Sequence, residues 1–157
     1  MVKGRDCLPR RIVLAVAVLA FGAGVAGCRQ DDVSTVGGCS IARGASCVGT
    51  YMRGGDLTGA DLFGADLRRA DLSHTSLVAA NLVGAHLEHA NLRHANLRNA
   101  DLENANLEGA DLHGASVAGL DLRNATIVAT KITQQQLAQA KVCQTAITAQ
   151  MRLNRDC

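Results

Sequence analysis

The five histidines and Ser73 form the first set of side chains in this sequence whose types could bind a metal or take part in catalysis. The stretch "HLEHANLRH" at residues 86–94 holds three imidazoles, which are common metal ligands and titrate near neutral pH. Ser73 directly precedes His74, which pairs a nucleophile type with a base type. A catalytic or metal site needs several such groups converging on one point. Their chemistry therefore depends on where the fold places them.

Cysteines are the second reactive set: Cys7, Cys28, Cys39, Cys47, Cys143 and Cys157. Residues 1–27 combine a basic start with an uncharged apolar run at 12–27, which is typical of a signal peptide and short for a membrane span. The run ends in Val25-Ala26-Gly27-Cys28, which resembles the lipobox of bacterial lipoproteins. The resemblance implies cleavage after Gly27, a diacylglyceryl thioether on Cys28 and a fatty acid such as palmitate on the new amino terminus.

Export follows from this leader under each of its interpretations. Ordinary secretory cleavage near Ala26 or an uncleaved anchor would also carry the chain across the membrane. We expect an extracytoplasmic protein, lipid-anchored to the cell membrane, or to the outer membrane if the source is Gram-negative. Residues 28–38 are polar, end in two glycines and lack periodicity, which predicts a flexible tether.

Composition and charge restrict the class of domain behind the leader. Apolar residues make up 48% of the chain but aromatic residues only 2%, so the core must be built from small aliphatic side chains. Without the leader's Lys3, Arg5, Arg10, Arg11 and Asp6, the formal charge falls from +2 to −1. This balance does not favour nucleic-acid binding through bulk charge.

A period of five governs the domain. Leucine or another aliphatic residue occupies every fifth position, here called i, from Met52 to Ile132, which makes 17 pentads. Alanine dominates position i−2, and aspartate or asparagine dominates position i−1. A helix would spread these leucines around its whole circumference, because five residues advance by about 140°. A flat strand would point successive leucines to opposite faces.

A square coil satisfies the pattern. Within a short extended segment, positions i and i−2 point the same way. A turn of the chain over i+1 and i+2 then brings the next alanine and leucine inward again. The glycines and asparagines at i+2 suit such corners. Four corners close a coil of 20 residues, and coils stack at the strand spacing of about 4.8 Å.

Residues 50–133, with the repeated motif A-[D/N]-L-x-x, resemble the pentapeptide-repeat proteins. The resemblance implies an all-β fold, a right-handed quadrilateral β-helix, here of about four coils. Some members of that family mimic DNA and protect DNA gyrase. Residues 50–133 carry a formal charge of −3, and the leader takes the chain away from DNA, so this function is less favoured.

Both ends of the coil stack need caps, because they expose backbone hydrogen-bonding groups. We expect an N-terminal cap at 39–49 and a C-terminal cap at 134–157 with a short helix, begun by Thr133 and a capping box with Gln136. Four exported cysteines allow three pairings, and we favour Cys39–Cys47 and Cys143–Cys157, one at each end. A metal site is less favoured, since neither pair has C-x-x-C spacing.

The outer walls must carry any function. His74 and His94 lie 20 residues apart and should stack in adjacent coils, but we expect no metal site because a third ligand is missing. We predict a contact patch from the outward residues Phe63, Val78, Val83, Arg68 and Arg69. No carboxylate or oxyanion donor converges on Ser73 and His74, so we expect no enzymatic activity.

These observations predict a non-enzymatic, membrane-anchored lipoprotein, a scaffold or interaction module for a protein or cell-wall partner. The alternative is a lipoprotein that binds a metal or solute through the histidine ladder. We expect no cofactor apart from the lipid on Cys28, no nucleic acid, and a monomer or weak homodimer.

Overall fold

The computed structural model describes residues 35–143. It contains two short strands, β1 (Thr35–Val36) and β2 (Cys39–Ser40), and one short helix, α1 (Gln134–Leu137). Elsewhere the residue at i−1 forms a single parallel bridge to the residue 20 positions later, from Ser46↔Asp66 to Asp121↔Lys141. Four sides of five residues therefore complete one coil, and the period of five is a folding signal as predicted.

Each corner is a β-turn with a left-handed residue. The amide of Ala65 donates to the carbonyl of Leu62 at 3.0 Å, and between them Gly64 has a φ of 63°. A positive φ at the third turn residue is the hallmark of a type II turn and favours glycine or asparagine there. The same conformation recurs at position i+2 of each pentad from Gly44 to Ala129.

Hydrogen bonding uses all five backbone donors of a pentad, as the residues 70–74 show. One N–H closes a turn, three reach neighbouring coils, and the N–H at i+1 donates to the aspartate at i−1. In order, these bonds are Ala70 to Leu67 O (3.1 Å), Asp71 to Thr50 O (2.8 Å), Leu72 to Asn91 O (2.8 Å), Ser73 to Asp71 Oδ1 (3.0 Å) and His74 to Arg93 O (2.9 Å). The side chain of the aspartate or asparagine at i−1 thus supplies an acceptor for the one amide of the pentad that has no backbone partner.

The interior is filled by leucine and alanine, as the pattern predicts. Every leucine from Leu57 to Leu122 is at most 2% exposed. Two bulkier residues at the alanine position are also buried: Leu120 is completely enclosed, and the hydroxyl of Thr75 donates to the carbonyl of Leu72. The coil therefore accommodates both Thr75 and Leu120 in its interior, although each differs from the alanine of the repeat.

The N-terminal end is ordered over more residues than expected. β1 and β2 form an antiparallel hairpin around Gly37 and Gly38, whose φ values of 60° and 81° suit a tight hairpin turn. Residues 35–38, assigned above to the tether, therefore lie in a hairpin, while 28–34 are outside the described residues. Cys39 and Cys47 form the expected disulfide, with their Cα atoms 5.4 Å apart. Bridging already begins at Ser46, ahead of residue 50, because Cys47 occupies a leucine position.

The C-terminal end is closed by α1. Thr133 is its N-cap and forms the predicted capping box with Gln136. Leu137 keeps the phase of the leucines and is fully buried, and Ala140 packs beside it on the core. Bridging then continues to Lys141, beyond residue 133. Cys143 is oxidised in a disulfide, whereas Cys157 lies outside the described residues, so their pairing stays a prediction.

Candidate interaction surfaces on the outer walls

Four walls surround the coil, and each is named here after one of its outward i+1 residues. The Phe63 wall carries Arg43, Phe63, Val83, Glu103 and Arg123; the Arg68 wall carries Val48, Arg68, Glu88, Glu108 and Val128; the Ser73 wall carries Arg53, Ser73, Arg93 and His113; the Val78 wall carries Thr58, Val78, Arg98 and Ala118. Within a wall, neighbours along the coil axis are 20 residues apart in sequence. These columns decide which side chains can meet.

The predicted contact patch does not lie on one wall. Phe63 and Val83 share the Phe63 wall, and Val78 lies on the wall at one side of it. Arg68 lies on the wall at the other side, and Arg69 lies at the corner that follows Arg68. The two valines are half-buried, whereas Phe63 is 42% exposed. A partner that contacts one flat wall could therefore not touch all five residues.

Phe63 is covered from one side by Arg43. The Arg43 guanidinium lies 4.3 Å from the centre of the Phe63 ring and also forms a 3.1 Å ion pair with Asp61. Such a cation–π contact is favourable even at an exposed site. The sequence did not reveal this pair, although the spacing of 20 between the two residues places them in one column.

The Arg68 side chain is held against its own wall. It donates two hydrogen bonds to Asp66, from Nε at 2.8 Å and from Nη2 at 2.6 Å. These bonds from Arg68 lower the pKa of the Asp66 carboxyl below its ordinary value of 3.8, against the opposing effect of desolvation. Arg69, in contrast, occupies an exposed corner with a φ of 58°.

The histidine ladder forms as predicted. The rings of His74 and His94 are stacked with their centres 5.1 Å apart. His113, 19 residues after His94 in sequence, meets the His94 ring edge-on, with the two ring centres 6.1 Å apart. Within residues 35–143, no group of three or more histidine, cysteine or acidic side chains is arranged to hold a metal ion.

The histidine corner has a backbone cost that the sequence pattern did not show. His74 and His94 have φ values of 59° and 56°, in the left-handed region that glycine prefers. The imidazole of His94 leans over the next corner, where a Cβ added to Gly114 would lie 2.5 Å from Nδ1. Glycine at position 114 is therefore favoured for two reasons: a side chain would collide with the His94 ring, and the φ of 70° suits glycine.

Ser73 and His74 do not form a nucleophile–base pair. Ser73 is only 3% exposed, and its backbone N–H donates to Asp71. The side-chain hydrogen bonds described for residues 35–143 include none between Ser73 and His74. An open groove of about 540 Å³ beside α1 includes one imidazole, His113, and one guanidinium, Arg98, but no carboxylate among the residues that line it.

Tyr51 is the most exposed large apolar residue that the sequence analysis missed. It occupies an i−1 position, where the repeat normally has aspartate or asparagine, and is 80% exposed. Val48, one corner earlier, is 47% exposed. The signal in the sequence was the break in the Asp/Asn column at Tyr51.

A membrane-spanning helix is absent from the part of the chain that the structure describes. The apolar run at 12–27 and the lipidation candidate Cys28 lie outside that part. Their assignment as a signal peptide and an anchor site therefore stays a prediction.

Comparison with known proteins agrees with the coil geometry. The family model "Pentapeptide repeats" matches residues 40–69, 70–109 and 90–127. No curated protein gives a significant match.

Solved structures of pentapeptide-repeat proteins are similar to this chain. They include Rfr23 from the cyanobacterium Cyanothece 51142, with 30% identity over 64% of this chain and 61% of that one (TM-score 0.41). HetL from the cyanobacterium Nostoc sp. strain PCC 7120, involved in heterocyst differentiation regulation, has 28% identity over 73% and 55% (TM-score 0.38). QnrB1, a plasmid-mediated fluoroquinolone resistance protein, has 18% identity over 68% and 57% (TM-score 0.45). The chain thus covers less than two thirds of each of these proteins.

Family membership follows from the extent of the match and agrees with the structure. The matched segments run from residue 40 to residue 127 and so include more than half of the chain. The same residues carry the bridges at intervals of 20 and the left-handed corners described above. The chain belongs to the pentapeptide-repeat family, whose fold is a right-handed quadrilateral β-helix.

Proposed function

We propose that this protein is an extracytoplasmic lipoprotein, anchored through Cys28, whose walls bind a protein or cell-wall partner without catalysing a reaction. The observation that carries the proposal is the lipobox-like Val25-Ala26-Gly27-Cys28, which ends seven residues before β1. The Cys39–Cys47 disulfide supports export, because disulfides persist mainly in oxidising compartments. Pentapeptide-repeat proteins are generally structural or interaction modules rather than enzymes.

Metabolic labelling with a fatty acid tests the anchor. In bacterial cells that express the full chain, we expect labelling of the wild type and of Cys7→Ala, but not of Cys28→Ala. Globomycin, which blocks lipoprotein signal peptidase, should cause a lipidated precursor to accumulate. Labelling that survives in Cys28→Ala would contradict the proposal.

Crosslinking tests the interaction module. Val83→Ser should reduce a specific crosslinked species in intact cells, because it removes an outward apolar side chain from the Phe63 wall. Val128→Ser is a matched control, since it makes the same change at the same outward position on another wall near the far end. Equal crosslinking by both variants would exclude the Phe63 wall as the contact surface.

Metal binding is the second candidate, favoured only by the stack of His74 and His94 with His113 nearby. Zinc or nickel added to the full chain should raise the melting temperature if these imidazoles bind it, and His94→Ala should abolish that shift. His86→Ala is the control, since His86 faces Glu88 on a different wall. A melting temperature that metal leaves unchanged would exclude this candidate.

A further inference from the structure

Exposed large apolar side chains are concentrated at one end of the described coil. Of the four such residues among 35–143, three lie in the first coil, namely Val48, Tyr51 and Phe63, and only Val128 lies near the other end. The three side chains stand on three different walls. Because residues 48 to 63 span less than one coil, they lie within one strand spacing of the same height, about 4.8 Å.

Two guanidinium groups accompany these apolar side chains. Arg43 covers the ring of Phe63, and Arg53 is exposed two residues after Tyr51, on the same wall. We call Val48, Tyr51, Phe63, Arg43 and Arg53 the N-terminal girdle. On the fourth wall this level carries the acidic Asp56 and the polar Thr58, so the girdle covers three sides of the coil. Asp61, which pairs with Arg43, lies at the same level, so the two guanidinium groups give the girdle no excess of positive charge.

The arrangement of the N-terminal girdle indicates the kind of surface that would cover it. A protein that docks on a flat wall contacts side chains stacked along that wall. A plane lying across the end of the coil instead meets residues of one height on several walls. Tyrosine, with its apolar ring and polar hydroxyl, and arginine, with its long apolar stem, are favoured where such a plane is a membrane–water interface.

The chain enters the coil beside this girdle. Val36 of β1 packs against the core, and a Cβ added to Gly55 would lie 2.6 Å from its Cγ1. Gly37 lies directly against the carbonyl of Tyr51. Six residues, 29–34, lie between Cys28 and Thr35, and the seven steps of the chain limit the distance between the anchor site and β1 to about 25 Å.

We propose that the N-terminal girdle rests in the headgroup region of a phospholipid bilayer, with the later coils directed away from the membrane. The proposal rests on the lipid anchor at Cys28 proposed above. Arg43 and Arg53 would contact lipid phosphates, while Val48, Tyr51 and Phe63 would enter the interface.

Tyr51 is itself the probe for the test, because the chain has one tyrosine and no tryptophan. The full lipidated protein would be reconstituted into vesicles of equal parts phosphatidylcholine and phosphatidylglycerol. Tyr51 emission would be measured with a headgroup spin-labelled lipid and, separately, with the aqueous quencher acrylamide. We expect strong quenching by the spin-labelled lipid and several-fold less quenching by acrylamide than in detergent.

A pair of variants controls for nonspecific effects. Val48→Asp should weaken quenching by the spin-labelled lipid, because it places a carboxylate in the girdle. Val128→Asp should leave it unchanged, since that valine has the same outward position on the same wall near the opposite end. Equal effects of both substitutions would overturn the assignment of the girdle.

Three results would overturn the proposal, and they are distinguishable. Release of the protein from vesicles by alkaline carbonate would exclude the lipid anchor, and with it the girdle contact. Retention on vesicles with Tyr51 accessible to acrylamide and unaffected by the spin label would exclude only the girdle contact. Shielding of Tyr51 from acrylamide without quenching by the spin label would indicate that a second copy of the chain covers it.

Discussion

At the residue scale, the repeat is a solution to backbone hydrogen bonding as much as to core packing. Leucine and alanine explain the interior, but the aspartates and asparagines at i−1 supply the acceptor for the N–H at i+1. The bond recurs throughout the coil, for example from Glu103 N–H to Asp101 at 3.0 Å and from Glu108 N–H to Asn106 at 3.1 Å. A buried or half-buried amide without an acceptor would destabilise the fold.

Asp121 has two roles: its side chain accepts a backbone hydrogen bond, and its negative charge forms ion pairs. Two substitutions can separate these roles. Asp121 Oδ1 accepts from the Arg123 backbone at 3.1 Å, while Arg123 Nε and Lys141 Nζ surround the carboxylate. Asp121→Asn keeps an acceptor and should cost about 1 kcal/mol of unfolding free energy at pH 7, while Asp121→Ala should cost about 1 kcal/mol more. Urea unfolding would measure both, and equal losses would contradict the capping role.

Acid should remove the difference between wild type and Asp121→Asn. Desolvation raises the pKa of Asp121, but hydrogen bonds and charge from Arg123, with Lys141, outweigh it and hold the pKa below 3.8. A carboxyl group whose pKa is lowered by folding stabilises the protein above its unfolded pKa and loses that effect as the pH falls through the folded pKa. The urea-unfolding difference should therefore be constant from pH 7 to about 5 and vanish at lower pH; a difference that persists in acid would contradict this origin.

Gly114 tests the histidine corner. Gly54→Ala and Gly114→Ala both place a side chain in the left-handed region, which costs roughly 1–2 kcal/mol. Nothing lies within 4 Å of a Cβ at Gly54, whereas a Cβ at Gly114 would meet the ring of His94. Gly114→Ala should therefore lower the melting temperature more, and the excess should disappear when His94 is also replaced by alanine. An excess that survives in that background would show that His94 is not its cause.

At the element scale, α1 replaces one side of the last coil, and bridging resumes after it at Lys141. The column Asn96–Ser116 is not continued by a bridge to residue 136; the side chain of Gln136 instead donates to the carbonyls of Leu112 and Ala115 at 2.9 and 3.0 Å. One side chain thus completes the capping box of the helix and satisfies two acceptors at the edge of the last coil. Edge groups of this kind would otherwise be open to pairing with another chain.

Gln136→Glu and Thr133→Ala distinguish these two functions of α1. Thr133→Ala removes the N-cap and should cost about 1 kcal/mol. Gln136→Glu keeps an acceptor for the Thr133 N–H but removes both donors to the edge and brings a negative charge beside two carbonyl oxygens. We expect it to cost about 1–3 kcal/mol, more than Thr133→Ala in urea unfolding. A smaller loss would show that the edge contacts contribute little.

At the scale of the whole molecule, each coil contacts only its neighbours along the axis. Stability in such solenoids is close to a sum of local contributions and interfaces between repeats. The Cys39–Cys47 disulfide ties the hairpin to the first coil and to nothing beyond it. A substitution that destabilises the N-terminal end should therefore have little effect on the stability of the later coils.

Cys39→Ser tests that locality. In the loop-entropy model, closing an eight-residue loop stabilises by about 2.5 kcal/mol. Hydrogen exchange of the Met52 amide, which donates to Asp71, should become faster in the variant. The Leu102 amide, which donates to Asp121 in the later coils, is the internal control and should be unchanged. Equal acceleration of both amides would show that the coil unfolds as one cooperative unit.

The sequence predicts the interior better than the exterior, for a physical reason. Leucine and alanine recur because every coil encloses the same interior, so each of the 17 pentads predicts the same two buried positions. Outward residues depend on neighbours 19 or 20 positions away, which is how the Arg43–Phe63 and His94–His113 contacts escaped notice. The hairpin was missed because Gly37 and Gly38 suit a linker as well as a turn.

The interior of the coil repeats every five residues, whereas each wall repeats every twenty. This difference determines how the protein can change length. Insertion of one residue would move every later leucine out of the core. A duplicated block of five between His94 and His113 would restore the core but rotate all later side chains by one corner, so that the column of His74 and His94 would no longer meet His113. A block of twenty would preserve both periods and lengthen each wall by one row. Viable length variants should therefore differ by five when walls are free to change and by twenty when a wall is under selection.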